Sequence, residues 1–463
     1  MNKAYFLIAL LTIQFVSAQV TPNIMFQNHM VLQRNQPIAV FGTAASEKTI
    51  DVTFKDKIYS TKVENGYWKL FLDESEAGGP YELTIKGKNK IVLSDVLVGG
   101  EVWLCSGGQS NMEMPVKGNV GQPINGSNLV ILKSKNDQLR FFKVDKKASV
   151  APLSTCGGEW QLAEPKTVKN FSATAYFYGK MLQETLNVPI GLICSSWGGT
   201  PAEAWTPKEI IDKNFSGFDK WNKDDSKLQK KPSMLYNGMI HPLKPFTFKG
   251  VIWYQGEANK TYHENYTDLF SSMIKSWRTE WNQGEFPFYF VQIAPLSWGG
   301  GDNQAFLREK QLKTMLEVPN TGMAVTLDIG EKECIHPAEK QKVGERLAYW
   351  ALAKDYGFTD IEFSGPVYKS MSVKEKKVTI QFDYAPLGVV SYGKEINSFK
   401  VAGEDKVFYE AEGQVIKGQL VVWSDKVPKP VAVRYGWEAW VKGSLFNTAG
   451  LPASSFRTDN WEE

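Results

Sequence analysis

The stretch "SDVLVGGEVWLCSGGQSNMEMP" (residues 94–115) runs from an apolar segment into a turn with two glycines, an amide and a serine. This pattern is typical of a β-strand that ends in a tight turn. Gly107 and Gly108 allow backbone angles that other residues resist. Ser110 is therefore predicted at the tip of the turn, on the carboxyl edge of a sheet, where open α/β sheets bind ligands. The alternative is a surface turn with a solvated serine.

Strands and helices alternate through the middle of the chain. Apolar strands such as "FKGVIWYQGEAN" (248–259) alternate with stretches of three-and-four spacing, namely "FSATAYFYGKMLQETLN" (171–187) and "NYTDLFSSMIKSWRTEWN" (265–282). This alternation predicts a parallel sheet covered by helices on both faces. The segment "KLQKKPSMLYNGMIHPL" (227–243) breaks the rhythm and is predicted to form a loop over the sheet edge.

The N-terminal segment "MNKAYFLIALLTIQFVSAQV" (1–20) has the positive residue Lys3, an apolar core and a small-residue "VSA" site. These features predict a signal peptide, with the mature chain starting near Gln19. The alternative is a buried hydrophobic strand. No later stretch approaches the roughly 18 apolar residues of a membrane helix, so no membrane association is expected after cleavage. The protein is expected to be exported to the periplasm or secreted.

Short alternating strands lie on both sides of the α/β segment, for example "GYWKLFLDE" (66–74) before it and "GQLVVWSD" (418–425) after it. The predicted organisation therefore has four parts: a signal peptide over 1–18, a β domain over 19–95, an α/β domain that bears the site over 96–357, and a β-rich region over 358–463.

The composition is that of an ordinary globular protein of more than one domain, with 463 residues, 43% hydrophobic and 22% charged. The net charge of +3 is small and no basic stripe occurs, so no nucleic-acid partner is expected. An exported chain can form disulfides, but no bridge is predicted because Cys105 and Cys194 each end an apolar run, as small buried hydrophobes do. The other cysteines are Cys156 and Cys334. No CxxC or HxxxH spacing occurs, so no metal site is predicted.

A serine nucleophile needs a base, and histidine is the usual one near neutral pH. The chain has four histidines: His29, His241, His263 and His336. His29 lies in the N-terminal β domain, and His263 lies at a polar helix start where it is expected to be solvated. His241 is a loop histidine that could line a pocket. His336, in "EKECIHPAEKQKVGERLA", follows a strand and precedes a helix, so it is the best candidate for the base.

A third group usually orients the base. Glu333 lies three residues before His336, so one loop can fold its carboxylate onto the imidazole. Asp328, at the strand end, competes with it, and Glu331 is the weakest of the three. A backbone carbonyl could take this role instead and leave a Ser–His dyad.

Acyl transfer also needs hydrogen-bond donors directed at the developing oxyanion. "CSSWGGTPAEAW" offers the backbone N–H of Gly198 or Gly199, and "WYQGEAN" offers the side-chain amide of Asn259. The N–H of Ser110 would be a third donor. Strand ends that carry Ser, Gly, Asn and His in this order are stronger support for a site than any one glycine.

These four positions resemble the four sequence blocks of the SGNH hydrolases. More narrowly, "CSGGQSNMEMP", "SSWGGTPAEAW", "VIWYQGEAN" and "IHPAEKQKVGERLA" resemble the sialate O-acetylesterase family, as do "MVLQRNQPIAVFGTA" and "GLPASSFRTD". The resemblance spans nearly the whole mature chain. It implies a serine esterase that removes acetyl groups from sugar hydroxyls. It also implies a flavodoxin-like three-layer α/β/α domain with β-rich regions before and after it.

One position departs from the family pattern. The family often has an Asp two residues before the histidine, and this sequence has Cys334 there. A thiol orients an imidazole poorly, so the resemblance leaves Glu333 and Asp328 as the candidates for the acidic member.

The resemblance implies an acetylated carbohydrate as substrate, and the residues predict Ser110 as nucleophile, His336 as base and no metal or organic cofactor. Sialic acids, xylan and other acetylated glycans carry the same ester. Arg308 could bind a sialate carboxylate. Residues expected to bind the substrate or support the catalytic side chains are Gln109, Trp197, His241, Gln255, Glu257 and Arg308.

Two other functions fit parts of the pattern. A glycosidase could use Glu257 as its acid, but it needs a second carboxylate about 5–10 Å away, for which Asp328 is the candidate. A sugar-binding protein without catalysis could share the fold, although it would not need Ser110 or His336. Glu257 is expected instead to support the loop that bears Asn259.

Overall fold

The computed structural model describes residues 19–45, 48–108, 110–215, 227–297 and 303–461. The predicted signal peptide and Gln109 lie outside these residues. No helix in the described ranges is long and apolar enough to cross a membrane.

The N-terminal part of the chain is built of short strands, as its alternating pattern predicts. The strands are β1 (Val20–Pro22), β2 (Val31–Gln33), β3 (Ile38–Ala44), β4 (Thr49–Phe54), β5 (Lys57–Lys62), β6 (Tyr67–Leu72), β7 (Gly78–Lys86) and β8 (Lys90–Gly107). Strands β1, β3 and β6 form an antiparallel sheet. Strands β5, β4, β7 and the first half of β8 form a second antiparallel ladder.

Strand β8 is 18 residues long and belongs to both parts of the molecule. Its first half pairs with β7 as far as Val98, and β2 pairs with it as far as Gly100. From Glu101 onward it pairs with strands of the central sheet. The boundary predicted between residues 95 and 96 therefore falls inside one continuous strand.

The middle of the chain alternates strands and helices. Its elements are α1 (Ser110–Glu113), α2 (Ser127–Leu132), β9 (Asn136–Lys143), β10 (Trp160–Ala163), α3 (Pro165–Val168), α4 (Ala173–Leu186), β11 (Ile190–Ser196), α5 (Lys208–Asn214), β12 (Gly250–Tyr254), α6 (Tyr266–Trp281), β13 (Phe288–Val291), α7 (Asn303–Glu317), β14 (Thr321–Ala324) and α8 (Lys340–Asp355). The central sheet has the order β10-β9-β11-β8-β12-β13-β14. Every neighbouring pair along it is parallel except β10 with β9. The carboxyl ends of the parallel strands therefore meet at one edge, where ligand sites form in such sheets.

Helices pack on both faces of this sheet. The ring of Trp103, in β8, lies 5.2 Å from that of Tyr178 in α4. The ring of Trp253, in β12, lies 6.0 Å from that of Phe270 in α6. Trp253 pairs with Ser106, three residues after Trp103. Because side chains alternate between faces along a strand, the two tryptophans point to opposite faces.

The two longest helical patterns begin and end near the predicted positions. Helix α4 begins after Ser172, whose hydroxyl accepts the N–H of Ala175, and ends at Asn187 in the left-handed conformation. Helix α6 ends at Asn282 in the same way. Asparagine tolerates this conformation better than most residues, so it ends a helix readily.

The segment predicted as a loop over the sheet edge contains short helical turns instead. A π-helix covers Tyr236–Ile240, and 3-10 turns cover Leu228–Lys230 and His241–Leu243. Two other 3-10 turns lie nearer the strand ends, Ala202–Trp205 and Glu257–Tyr262.

The C-terminal part is β-rich, as predicted. Its strands are β15 (Val367–Lys374), β16 (Lys377–Asp383), β17 (Val389–Val390), β18 (Phe399–Ala402), β19 (Phe408–Ile416), β20 (Gln419–Trp423), β21 (Ala432–Tyr435), β22 (Phe446–Asn447) and β23 (Phe456–Arg457). Strands β15-β16-β20-β19-β18-β21-β23 form an antiparallel sheet, and β17 pairs with β22. This part docks on the edge of the central sheet: the N–H of Leu296 donates to Ala439 O, and the N–H of Gly443 donates to Leu327 O, both at 3.0 Å. It therefore supports the loops that follow β13 and β14.

Candidate active site

Ser110 begins helix α1 just beyond the end of β8, at the edge where the strand ends meet. Gly107 and Gly108, which precede it, have no room for a side chain because neighbouring backbone approaches them closely. A Cβ on Gly107 would lie 2.1 Å from the carbonyl oxygen of Tyr254, and one on Gly108 would lie 2.2 Å from that of Thr200. Gly107 itself is close to extended. Lack of a side chain, more than unusual backbone angles, thus lets the ends of β8, β11 and β12 come together.

Gly198 lies against the nucleophile. A Cβ on Gly198 would lie 2.2 Å from Ser110 Oγ. The backbone N–H of Gly198 donates to Glu113 Oε2 at 2.6 Å, and Glu113 Oε1 forms an ion pair with Lys146 Nζ at 2.6 Å. The Lys146 ammonium lies 5.5 Å from the ring centre of the half-buried Trp197. Trp197 therefore lies beside the ion pair that adjoins the turn of Ser110.

These contacts separate the two candidate glycine donors. The N–H of Gly198 is taken by the Glu113 carboxylate. Gly199 is exposed, in a left-handed conformation with φ +73°, and its N–H makes no hydrogen bond within the described residues. The geometry thus favours Gly199 over Gly198 as a donor to an oxyanion.

Asn259 is buried in the 3-10 turn that follows β12, and its amide has a fixed orientation. Its Oδ1 accepts the Ala202 N–H at 3.0 Å and Gln255 Nε2 at 2.6 Å. Its Nδ2 donates to Glu203 Oε2 at 2.9 Å. An amide NH₂ has two hydrogens, so one remains for another acceptor.

Gln255 supports Asn259 from within the core. It is fully buried, its Nε2 also donates to Thr200 O at 3.3 Å, and its Oε1 accepts the Tyr266 hydroxyl at 2.9 Å. Glu257 lies on the same loop, and both of its carboxylate oxygens are buried. Both residues thus lie where they can hold the loop that bears Asn259.

His336 lies in the loop between β14 and α8, and one hydrogen bond joins this loop to the nucleophile. Asn111, next to Ser110, donates from Nδ2 to the carbonyl oxygen of Ile335 at 2.9 Å. The imidazole is half-buried. Burial, and secondarily the charge of Lys340, lowers the pKa of His336 to about 4. The ring is therefore neutral at neutral pH, as a general base must be.

The structure brings neither predicted acid to His336. The carboxylate of Asp328 forms a two-pronged ion pair with Arg346, both contacts at 2.8 Å. Glu333 is exposed and accepts the Ser297 hydroxyl at 3.1 Å. Within the described residues, Nδ1 of His336 has no hydrogen-bond partner. In this conformation Asp328 accepts hydrogen bonds from Arg346, and Glu333 accepts one from Ser297.

The two remaining groups of the loop do not take this role either. Glu331 Oε1 accepts the N–H of Ala338 at 2.6 Å. The thiol of Cys334 lies 3.4 Å from the carbonyl oxygen of His336 and does not contact its ring nitrogens. Within the described residues no backbone carbonyl accepts a hydrogen bond from Nδ1 of His336 either, so in this conformation neither a carboxylate nor a carbonyl orients the ring through that atom.

Arg308 is not placed to bind substrate. Its side chain has no exposed surface, and it donates to Ser455 Oγ at 2.9 Å, Gly436 O at 2.9 Å and Glu438 O at 2.6 Å. It joins α7 to the C-terminal β-rich part. The suggestion that Arg308 binds a sialate carboxylate is corrected, because a guanidinium inside the protein cannot reach a carboxylate from solvent.

Two other histidines have structural surroundings. The Nδ1 of His241 lies 2.8 Å from Leu153 O, and its ring packs against Tyr236. His263 was expected to be solvated, but its ring stacks on Phe306 at 4.9 Å. Neither contact places these rings beside Ser110.

All four cysteines are free thiols. Cys105 and Cys194 are paired neighbours on β8 and β11, and both are buried. Burial raises the pKa of Cys194 to about 11 and that of Cys156 to about 12. A buried thiol with a raised pKa is a poor nucleophile, so these cysteines do not compete with Ser110.

The sequence reading missed four charged residues around the site: Glu113, Lys146, Glu203 and Lys340. One signal was available, because Glu113 lies three residues after Ser110 and one helical turn brings such residues together. The other three reach the site through the folding of separate loops.

Proteins similar to this chain include carbohydrate esterases. A family model described as carbohydrate esterase, sialic acid-specific acetylesterase, matches residues 99–353. The sialate O-acetylesterase of Homo sapiens is 32% identical over 460 residues, covering 89% of this chain and 86% of its own. That of Rattus norvegicus is 30% identical, covering 93% and 92%. The chain belongs to this carbohydrate esterase family.

A solved structure of similar extent supports the same assignment. A carbohydrate acetylesterase from Xanthomonas citri is 39% identical and superposes with a TM-score of 0.87, covering 96% of this chain and 100% of its own. The family resemblance seen in the motifs is confirmed. The carbohydrate esterase described here is a carboxylic ester hydrolase.

Proposed function

We propose that this carbohydrate esterase is a serine esterase that removes O-acetyl groups from sugars, with O-acetylated sialic acids as the first substrates to test. The observation that carries the proposal is the meeting of three strand ends at Ser110, with the Asn111–Ile335 hydrogen bond joining it to the His336 loop. The names of the human and rat relatives favour sialate.

The reaction begins when Ser110 Oγ attacks the acetyl carbonyl and His336 takes the hydroxyl proton. The oxyanion of the tetrahedral intermediate accepts hydrogen bonds from the N–H groups of Ser110 and Gly199 and from Nδ2 of Asn259. The imidazolium then protonates the leaving sugar oxygen. Water, activated by the neutral imidazole, hydrolyses the acetyl-enzyme and regenerates Ser110.

His336 acts in a dyad in this proposal. A triad carboxylate would accept a hydrogen bond from Nδ1 and stabilise the imidazolium. The ion pair with Arg346 holds Asp328, and Glu333 faces solvent, so each would have to leave its present partner to reach the ring. A triad with Asp328 or Glu333 as its acid therefore ranks below the dyad.

A neutral acetylated glycan such as xylan is the second candidate substrate. The observation in its favour is the burial of Arg308, because the cation expected to recognise a sialate carboxylate is not available. Lys146, which lies on the Trp197 side of the site, already pairs with Glu113. A glycosidase is not favoured, because the carboxylate oxygens of Glu257 are buried and Asp328 is paired with Arg346.

We further propose that residues 96–357 form the flavodoxin-like three-layer domain of an SGNH hydrolase, with the β-rich parts 19–95 and 358–463 packed on it. The helices on opposite faces of the sheet support this assignment. We also propose that the protein is exported to the periplasm or secreted, on the strength of the apolar N-terminal segment and its "VSA" site.

The experiment is acetate release by the purified protein from O-acetylated sialic acid and from acetylated xylan, compared with Ser110→Ala and with the exposed Ser94→Ala as control. We expect Ser110→Ala to lose several orders of magnitude in kcat and Ser94→Ala to match the parent. Near-normal acetate release by folded Ser110→Ala would overturn the assignment of Ser110 as the nucleophile. Lack of release from either substrate by the parent enzyme would overturn the proposed function.

A further inference from the structure

Lys340 is a fully buried lysine at the start of α8, four residues after His336. Lysine is almost never fully buried unless it is paired. Its Nζ donates to the carbonyl oxygen of Pro337 at 2.5 Å. Lys340 therefore holds the residue that directly follows the base.

The titratable groups that act on Lys340 come from two loops of the site. Burial lowers the pKa of Lys340 to about 7, and Cys334, Glu331 and Glu257 oppose this decrease. Cys334 and Glu331 belong to the His336 loop. Glu257 belongs to the loop after β12 that bears Asn259. Groups on both loops, that of the base and that of the oxyanion donor, therefore act electrostatically on the Lys340 ammonium.

We propose that Lys340 is a positioning residue of the esterase site: a buried cation that fixes the His336 loop through the Pro337 carbonyl. This inference rests on the proposed function. It assigns a role to a residue that neither attacks the ester nor binds the oxyanion.

The same cation acts on the imidazole. A positive charge beside His336 disfavours its protonation, and Lys340 is the charged group that acts on the ring in addition to burial. The base therefore stays free of a proton in mildly acidic solution. A lysine with a purely structural role would hold the loop without affecting the pH at which His336 becomes protonated.

The test compares Lys340→Met and Lys340→Arg with Lys342→Met in the full chain. Lys342 lies on the same helix but is exposed, so its replacement controls for loss of a lysine from α8. The measurements are kcat, KM and the acidic limb of kcat/KM against pH for acetate release, together with folding by circular dichroism. Because breaking a buried charge pair can unfold a protein, the double variant Lys340→Met/Glu257→Gln removes both charges.

We expect Lys340→Met to lower kcat by about 10-fold or more and to move the acidic limb upward by about half a pH unit or more. Lys340→Arg should keep the limb in place, and Lys342→Met should match the parent. If Lys340→Met is unfolded, the double variant should show the same upward shift. A folded variant with an unmoved limb would overturn the proposal, as would failure of both variants to fold, because Lys340 would then serve stability alone.

Acetate release by the parent enzyme distinguishes failure of this inference from failure of the proposed function. If the parent shows no serine-dependent acetate release, the proposed function fails. If it shows that release and the limb does not respond to Lys340, only the role of Lys340 fails.

Discussion

The backbone N–H of Gly198 donates to the carboxylate of Glu113 at 2.6 Å, directly beside the Ser110 hydroxyl. This bond ties the turn of the nucleophile to the loop after β11. The exposed Gly199 follows Gly198 directly, and its N–H makes no hydrogen bond among the residues that the structure describes.

Loss of this bond should loosen the oxyanion loop. We expect Glu113→Ala to lower kcat by about 10-fold or more, since misplacing one oxyanion donor costs on that order. Glu113→Gln should lose less, because its amide oxygen can still accept the Gly198 N–H. Steady-state acetate release measures both, and the exposed Glu184→Gln is the control. Equal activity of Glu113→Ala and the parent would contradict this role.

Asn259 is expected to serve both catalysis and folding. Asn259→Ala should lower kcat by roughly 10²–10³ with little change in KM. It should also cost about 1–3 kcal/mol of unfolding free energy, because the Glu203 carboxylate and the Ala202 N–H lose their partner. Urea unfolding separates the two effects. A change confined to KM would mark Asn259 as a substrate-binding residue instead.

The dyad makes a prediction for the acidic residues. Glu333→Gln should keep near-parent kcat, because its carboxylate faces solvent. Asp328→Asn should lower thermal stability, because it breaks the ion pair with Arg346 while leaving the guanidinium buried. Both are measured in one acetyl-ester assay and by thermal unfolding. A loss of several orders of magnitude in kcat for either folded variant would restore a triad with that residue as its acid.

Arg308 is predicted to act on stability alone. Arg308→Met should lower the unfolding free energy by about 2–3 kcal/mol, because a hydroxyl and two carbonyl oxygens lose their donor. The ratio of kcat/KM for sialate to that for xylan ester should not change. A selective loss of sialate activity in the folded variant would return Arg308 to the substrate site.

Stability should fall as the solution becomes acidic, in part through His336. The pKa of His336 in the fold is about 4, below its ordinary value of 6.5. The unfolded chain therefore binds the proton more readily, and stability is lost as the pH falls from 6.5 through 4. Over this window we expect the parent to lose more unfolding free energy than His336→Gln. Identical losses in both proteins would contradict the lowered pKa.

Much of the scaffold could be predicted from the sequence because its signals are local. Three-and-four spacing predicted α4 and α6, and apolar runs predicted the strands of the central sheet. The location of the candidate site residues at one edge of the sheet could also be predicted, because parallel strands share one carboxyl edge. These residues are Ser110, Gly198 or Gly199, Asn259 and His336.

Contacts between loops could not be read from spacing in the same way. Glu333 lies near His336 in the chain, yet its side chain turns to Ser297. Lys340 looks like a solvated helix residue, yet it is buried. In each case the direction of the side chain depends on elements distant in sequence, which periodicity does not report.

The continuity of β8 has a mechanical consequence. Its hydrogen-bonded ladder passes from β7 and β2 to β11 with one register irregularity at Gly99, since Leu32 pairs with Val98, Gln33 with Gly100 and Ile190 with Glu101. Arg34 adds an ion pair to Glu101 at the same point. Pairing on both sides of Gly99 resists bending of β8, so a swing of the N-terminal β part over the site would have to break these contacts, and we expect the entrance to Ser110 to adapt to branched glycans through the side chains and short loops around it.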